Sequence, residues 1–154
     1  MLKGIPKILS PELLKVLAEM GHSDRLVISD GNFPAESMGK NAIVIRCDGH
    51  GVPELLDAIL QVFPLDTYVE HPVNLMEVMP GDNVETPIWD TYKEIVKKYD
   101  GRGEAAVGNI ERFAFYEEAK TSYAIIATGE SALYANVMRQ KGVVTEGRIP
   151  AGGA

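Results

Sequence analysis

Cysteine is nearly absent: Cys47 is the only one in 154 residues. An intrachain disulfide is therefore impossible, and zinc sites built from several thiolates are excluded. Cys47 itself lies inside the apolar run AIVIRC, where a free thiol behaves as a small buried hydrophobe and makes a poor nucleophile. Histidine is scarce too, with three copies. His22, His50 and His71 show no HxH or HExxH spacing, so no metal is expected. Basic residues are outnumbered, 15 Lys and Arg against 22 Asp and Glu, giving a net charge of −7. With no clustered basic face, nucleic acid is excluded as a partner, and the expected ligand is small and neutral. No stretch approaches the ~18 apolar residues needed to cross a bilayer, so no membrane partner is expected. The opening segment MLKGIPKILSPELL lacks the apolar centre of a secretory signal, which points to the cytoplasm. Walker and dinucleotide glycine patterns are missing as well, and GDN at 81–83 and GRG at 101–103 read as loops.

What remains is a chain with 45% hydrophobic and 24% charged residues, the balance of one globular domain with one core. Ser10 can cap a helix over about 11–20 that opens with Pro11 and Glu12 and ends at Gly21. RLVIS then reads as a strand, DGNFPAESMG as a loop, and AIVIRC as a strand buried on both faces. VPELLDAILQVF has helical apolar spacing, PLDTYVEHP reads as a loop or edge segment, and NLMEVM as a possible strand. Pro87 opens a third helix, PIWDTYKEIVKKY, whose lysines suit its C-terminal end. ERFAFYEEAKT is a fourth helix, YAIIAT a strand, and NVMRQKGVV holds the last one. This order predicts an α/β fold: a single compact domain over 1–144 with a mostly parallel sheet flanked by helices, followed by a mobile tail over 145–154.

Several positions invite chemistry, each with a plainer reading beside it. His22 follows a helix-ending glycine and can move a proton near neutral pH, or simply complement the helix dipole. Asp30 ends a strand where α/β proteins place ligand-binding groups, yet Asp-Gly is also an ordinary turn. Arg112 and Tyr116 share a helix face, as surface arginine and core aromatic or as part of a site. Tyr134 and Asn136 stand two apart after a buried strand, where hydroxyl and amide suit either sugar hydroxyls or a satisfied strand end. Trp89 reads as core or subunit contact.

Taken together, LKGIPKILSPELLKVLAEMGHSD, SDGNFPAESMG, PLDTYVEHP, TPIW, RFAFYEEAK and ATGESALYAN resemble the fucose mutarotase branch of the ribose pyranase and fucose mutarotase family, over about residues 1–143. The resemblance implies an isomerase that needs no cofactor and interconverts the α and β anomers of L-fucose. It also implies a homodecamer with sites between neighbouring subunits. The family's alternatives are pyranose to furanose conversion of D-ribose and, outside catalysis, simple monosaccharide binding. By the same resemblance the proton-donating histidine falls on His22, with Tyr116 as its catalytic partner. The substrate-binding positions fall on Asp30, Asp66, Met76, Arg112, Tyr134 and Asn136. Departures are local: Ser23 and Ala135 stand where glycine is common, and Gly31-Asn32 where some members have Ala-His.

Overall fold

The computed structural model describes residues 1–145; the tail expected over 145–154 lies, from residue 146 on, outside the described residues. Helix α1 (Pro11–Glu19) begins where Ser10 accepts the Leu13 N–H at 3.1 Å, with proline in its first turn. The elements that follow are β1 (Arg25–Ser29), a single helical turn α2 (Ala35–Met38), β2 (Ile43–Cys47), α3 (Val52–Leu60), β3 (Val73–Met76), α4 (Pro87–Tyr99), a 3-10 turn (Gly103–Ala106), β4 (Val107–Ile110), α5 (Arg112–Lys120), β5 (Ala124–Thr128) and β6 (Val137–Gln140). None of the described helices is long and apolar enough to cross a membrane.

The six strands form one sheet in the order β2-β5-β1-β6-β3-β4. β5 pairs in parallel with β1 and β2, and β3 with β4. β6 runs antiparallel between β1 and β3 and joins the two parallel halves. The largely parallel α/β sheet expected from the chain order is therefore present, with one reversed strand near its middle. Alternate residues of each strand point to opposite faces. Leu26, Ile28, Leu75, Ile126 and Val137 join the larger core with α1, α3 and α4. Val27, Ile125, Met76 and Met138 pack with Phe33 and Phe115 into a smaller one beside α2 and α5.

Two local readings change. β2 is an edge strand, not a strand covered on both faces: Ile43 is 39% exposed, and only Ile45 within it is fully buried. DGNFPAESMG contains α2, and its closing Gly39 is required by space, since an added Cβ would lie 2.4 Å from Val44 Cγ2.

β6 also carries Arg139, which is fully buried with Leu26 and Val73 across from it on the neighbouring strands. Its guanidinium lies 4.8 Å from the Phe63 ring, and none of its nitrogens has a hydrogen-bond acceptor among the described residues. Burial pushes its pKa down to about 9.

Candidate functional site

The carboxyl ends of β1 and β3, the start of α5 and the residues leading into β6 meet around a pocket of about 460 Å³. This is where open α/β sheets bind ligands, because the loops leaving the strands diverge there. Asp30, Met76, Arg112, Tyr116, Tyr134 and Asn136 all line it, with Asn32, Phe33 and Asp82 beside them. Six of the eight expected site residues thus come together from parts of the chain up to 106 residues apart.

Each is held by its own local structure. Asp30 leaves β1 with its Oδ1 accepting the Asn32 and Phe33 N–H groups at 3.0 and 2.9 Å. Burial raises the pKa of this carboxyl group, and those backbone donors offset the rise only in part. The Asp30 N–H donates to Asn136 Oδ1 at 2.8 Å, which fixes the asparagine so that its amide hydrogens are what it can offer a ligand. On α5, Arg112 Nε donates to the Tyr116 hydroxyl at 3.1 Å, and its guanidinium lies 5.5 Å from both the Phe113 and Tyr116 rings. Tyr116 accepts in that bond, so its own proton is free to be given. Phe33 meets Tyr116 edge to face at 5.7 Å and closes the apolar side with Met76.

Tyr134 is in the left-handed region, φ +54°, uncommon for a bulky residue. Helix α4 holds it there: Trp89 Nε1 donates to the Tyr134 carbonyl at 2.8 Å, and the Tyr92 hydroxyl donates to the Ala135 carbonyl at 2.7 Å. Trp89 is therefore a clamp on the site loop, a role beyond the expected core or subunit contact. The Tyr134 hydroxyl donates to Asp82 and accepts the Met79 N–H at 3.3 Å. Glu130 anchors the start of the same loop. Its carboxylate accepts the N–H groups of Val52, Ser131 and Ala132 at 3.1–3.2 Å, capping α3 where Gly51 has no side chain to do so. The Glu130 carbonyl takes the Gly31 N–H at 2.8 Å, and a Cβ on Gly31 would come within 3.2 Å of that oxygen. An alanine at position 31 would crowd this contact.

His22 and Asp66 lie elsewhere. They flank the amino end of β1, separated from Asp30 by the length of that strand, about 16 Å. His22 Nε2 and Asp66 Oδ1 are 3.1 Å apart, and the imidazole is 43% exposed while the carboxylate is nearly sealed. Asp66 also accepts the Tyr68 N–H at 2.9 Å and the Gln140 amide at 2.8 Å. Burial raises its pKa, but these donors and His22 together outweigh burial and hold it below the ordinary carboxylate value. Because a carboxylate only accepts, Nε2 carries the imidazole hydrogen and Nδ1 is left as the nitrogen that can face a ligand. The exposed Tyr68 ring stands 5.2 Å from the imidazole. Ser23 has φ +72°, which accounts for the glycine common at that position in the family it resembles.

Sequence reasoning missed Asp82, Glu130 and Gln140, each of which acts through a residue distant in the chain. Among the described residues no group of three or more His, Cys, Asp or Glu side chains could hold a metal ion. Cys47 is half-buried, and burial raises its thiol pKa.

Similarity to known proteins follows this geometry along the whole fold. The solved structure of FucU from Bifidobacterium longum is 68% identical and covers 93% of this chain and 100% of its own, with a TM-score of 0.92. The fucose mutarotase of Streptococcus pneumoniae, solved in complex with L-fucose, is 46% identical, with a TM-score of 0.87 and coverage of 94% and 100%. Human fucose mutarotase is 49% identical over 147 residues, 93% of this chain and 94% of that protein. Residues 3–144 match the model of the RbsD / FucU transport protein family, and the chain belongs to that family.

Proposed function

We propose that this protein is an isomerase that interconverts the α and β anomers of L-fucose by opening and closing the sugar ring. The observation that carries the reading is the pocket itself, which gathers two carboxylates, a guanidinium, amides and two phenols against an apolar wall of Phe33 and Met76. Such a set suits a neutral polyol with one methyl group. Asp30, Arg112 and Asn136 offer hydrogen bonds to ring hydroxyls, those from the charged groups being the stronger. Met76 and Phe33 suit the 6-methyl, a contact that favours fucose over a sugar lacking that carbon by about 1–3 kcal/mol.

Mutarotation needs the anomeric hydroxyl to lose a proton while the ring oxygen gains one; closure on the other carbonyl face reverses both transfers. His22 and Tyr116 are the proposed pair. Tyr116, accepting from Arg112, has its own proton to give to the ring oxygen. His22, the proton donor by resemblance, first acts here as the acceptor: with Nε2–H turned to Asp66 it has Nδ1 to take the anomeric proton, which it gives back on closure as Tyr116 regains its own. Asp66 then serves the sugar through His22, as the acceptor that fixes its tautomer, and not as a direct contact. No cofactor enters these steps.

A homodecamer with sites between neighbouring subunits is part of this reading, His22 and Asp66 of one copy completing the pocket of the next. It is supported by the separation of the two groups within one chain and by exposed Phe113, Leu133 and Tyr68 near them. A cytoplasmic location is also part of it, consistent with a lone free thiol. Saturation-transfer NMR on L-fucose and D-ribose tests the function: exchange of L-fucose anomers is expected to be the faster, and His22→Ala to slow it by roughly 10²-fold or more. Faster turnover of ribose, or unchanged exchange in that variant, would sink the assignment.

A further inference from the structure

We infer that Asp82 is a positioning residue for this reaction: by taking the Tyr134 proton it turns that phenol into a hydrogen-bond acceptor toward the sugar, opposite in polarity to Tyr116. The inference rests on the sugar-pocket reading above. A phenol has one hydrogen to give and lone pairs to receive. The hydrogen of Tyr134 goes to Asp82 Oδ2, and one lone pair takes the Met79 N–H at 3.3 Å. Toward the pocket only acceptor capacity remains. Tyr116 is the reverse, because the Arg112 Nε–H occupies its oxygen at 3.1 Å and leaves its hydrogen free. One pocket therefore presents a donating and an accepting phenol, and a sugar hydroxyl beside Tyr134 has to point its proton at that ring.

The surrounding backbone is committed to this arrangement. Gly81, at φ +92°, lets the chain turn so that Asp82 comes back to the pocket wall, and a Cβ there would meet nothing, so the requirement is conformational. Tyr134 sits in the left-handed region with two successive carbonyls tied down, its own by Trp89 and that of Ala135 by Tyr92. Strain maintained from several directions at a pocket wall is the pattern of preorganisation. Asp82 and Arg112 make no ion pair among the described residues; the carboxylate reaches Arg112 only as a charge acting through space, and the site side chain it is hydrogen-bonded to is Tyr134.

The test is a double-mutant cycle on the intact protein with L-fucose exchange as readout, joined to ¹³Cζ tyrosine NMR. Asp82→Ala should lower kcat about tenfold or more, as expected for loss of a bond to a charged acceptor, with KM nearly unchanged. Asp82→Asn, which can still accept, should recover most of that loss. Asp82→Ala should cost much less in a Tyr134→Phe background than in the parent, the small remainder being its action through space on Arg112. Additive losses, or a rise in KM without a fall in kcat, overturn the inference. The NMR arm is independent of the substrate: the Tyr134 resonance should titrate at lower pH in Asp82→Ala, and identical titration rejects the Asp82 role whatever the sugar. Absence of any L-fucose exchange in the unmodified protein would instead reject the sugar reading.

Discussion

A carboxylate that is 1% exposed and already accepts hydrogen bonds from Tyr68, Gln140 and His22 has little left to offer a sugar. Asp66 can be recognised in PLDTY as an acid in a turn, but nothing local says that it is shared by a histidine 44 residues before it and a glutamine 74 after. Spacing along a chain records neighbours in an element, and these three belong to different ones. Asp66→Asn is expected to slow L-fucose exchange by about 10- to 100-fold, as for other partners that orient a functional histidine, with little change in KM. The same substitution has a signature in stability. A carboxylate whose pKa is lowered by folding stabilises the native state above its unfolded value of 3.8, and that stabilisation is lost as pH falls through the lower folded value. Denaturant titrations should therefore show the variant less stable than the parent at pH 7, with the gap closing below the unfolded value. A gap that widens in acid would contradict the lowered pKa.

Elements were readable to the extent that periodicity and caps were strong. α1 and α4 start where Ser10 and Pro87 announced them, and α3 and α5 fall within the segments VPELLDAILQVF and ERFAFYEEAKT. Length and composition hid the others. α2 is a single four-residue turn, and β4 reads VGNI, with a glycine and an asparagine that carry no strand preference. Gly108 is there for space, because a Cβ would lie 2.8 Å from the His71 ring. AIVIRC was misjudged for a different reason: a continuous apolar run suggests two covered faces, whereas β2 is covered mainly on one and ends the sheet. β6 shows the opposite mismatch, a buried strand carrying a cation. Arg139 loses hydration without gaining an acceptor, and a base whose pKa is pushed down by folding to about 9 destabilises the protein throughout the neutral range. Arg139→Leu should raise the unfolding free energy by about 1–4 kcal/mol in chemical denaturation at pH 7. Destabilisation would mean that Phe63 and the guanidinium contribute more than hydration costs.

At the scale of the molecule, the resemblance placed a site on eight positions, and six of those eight converge in one pocket. Chain order already sets His22 before β1 and Asp30 after it; what it could not reveal is that Asp66 joins His22 there, since that depends on the pairing of the assembled sheet, which brings Gln140 and Asp66 to the same end. If neighbouring copies complete each site, two inactive variants should rescue one another. Co-refolded His22→Ala and Arg112→Ala chains are expected to regain about a quarter of the parent exchange rate, the chance that an interface draws an intact half from each partner. No recovery in mixed oligomers would confine the chemistry to single chains.

The cap that Glu130 places on α3 ties helix and site loop into one mechanical unit. The carboxylate that ends the orphaned N–H of Val52 is the same one that folds Ser131 and Ala132, and its carbonyl holds Gly31 beside Asp30. Any ligand of the pocket that Asp30 and Tyr134 line would thus press on a joint whose far arm is the first turn of α3. Loosening that turn would unmake the pocket wall before any residue touching the ligand had changed.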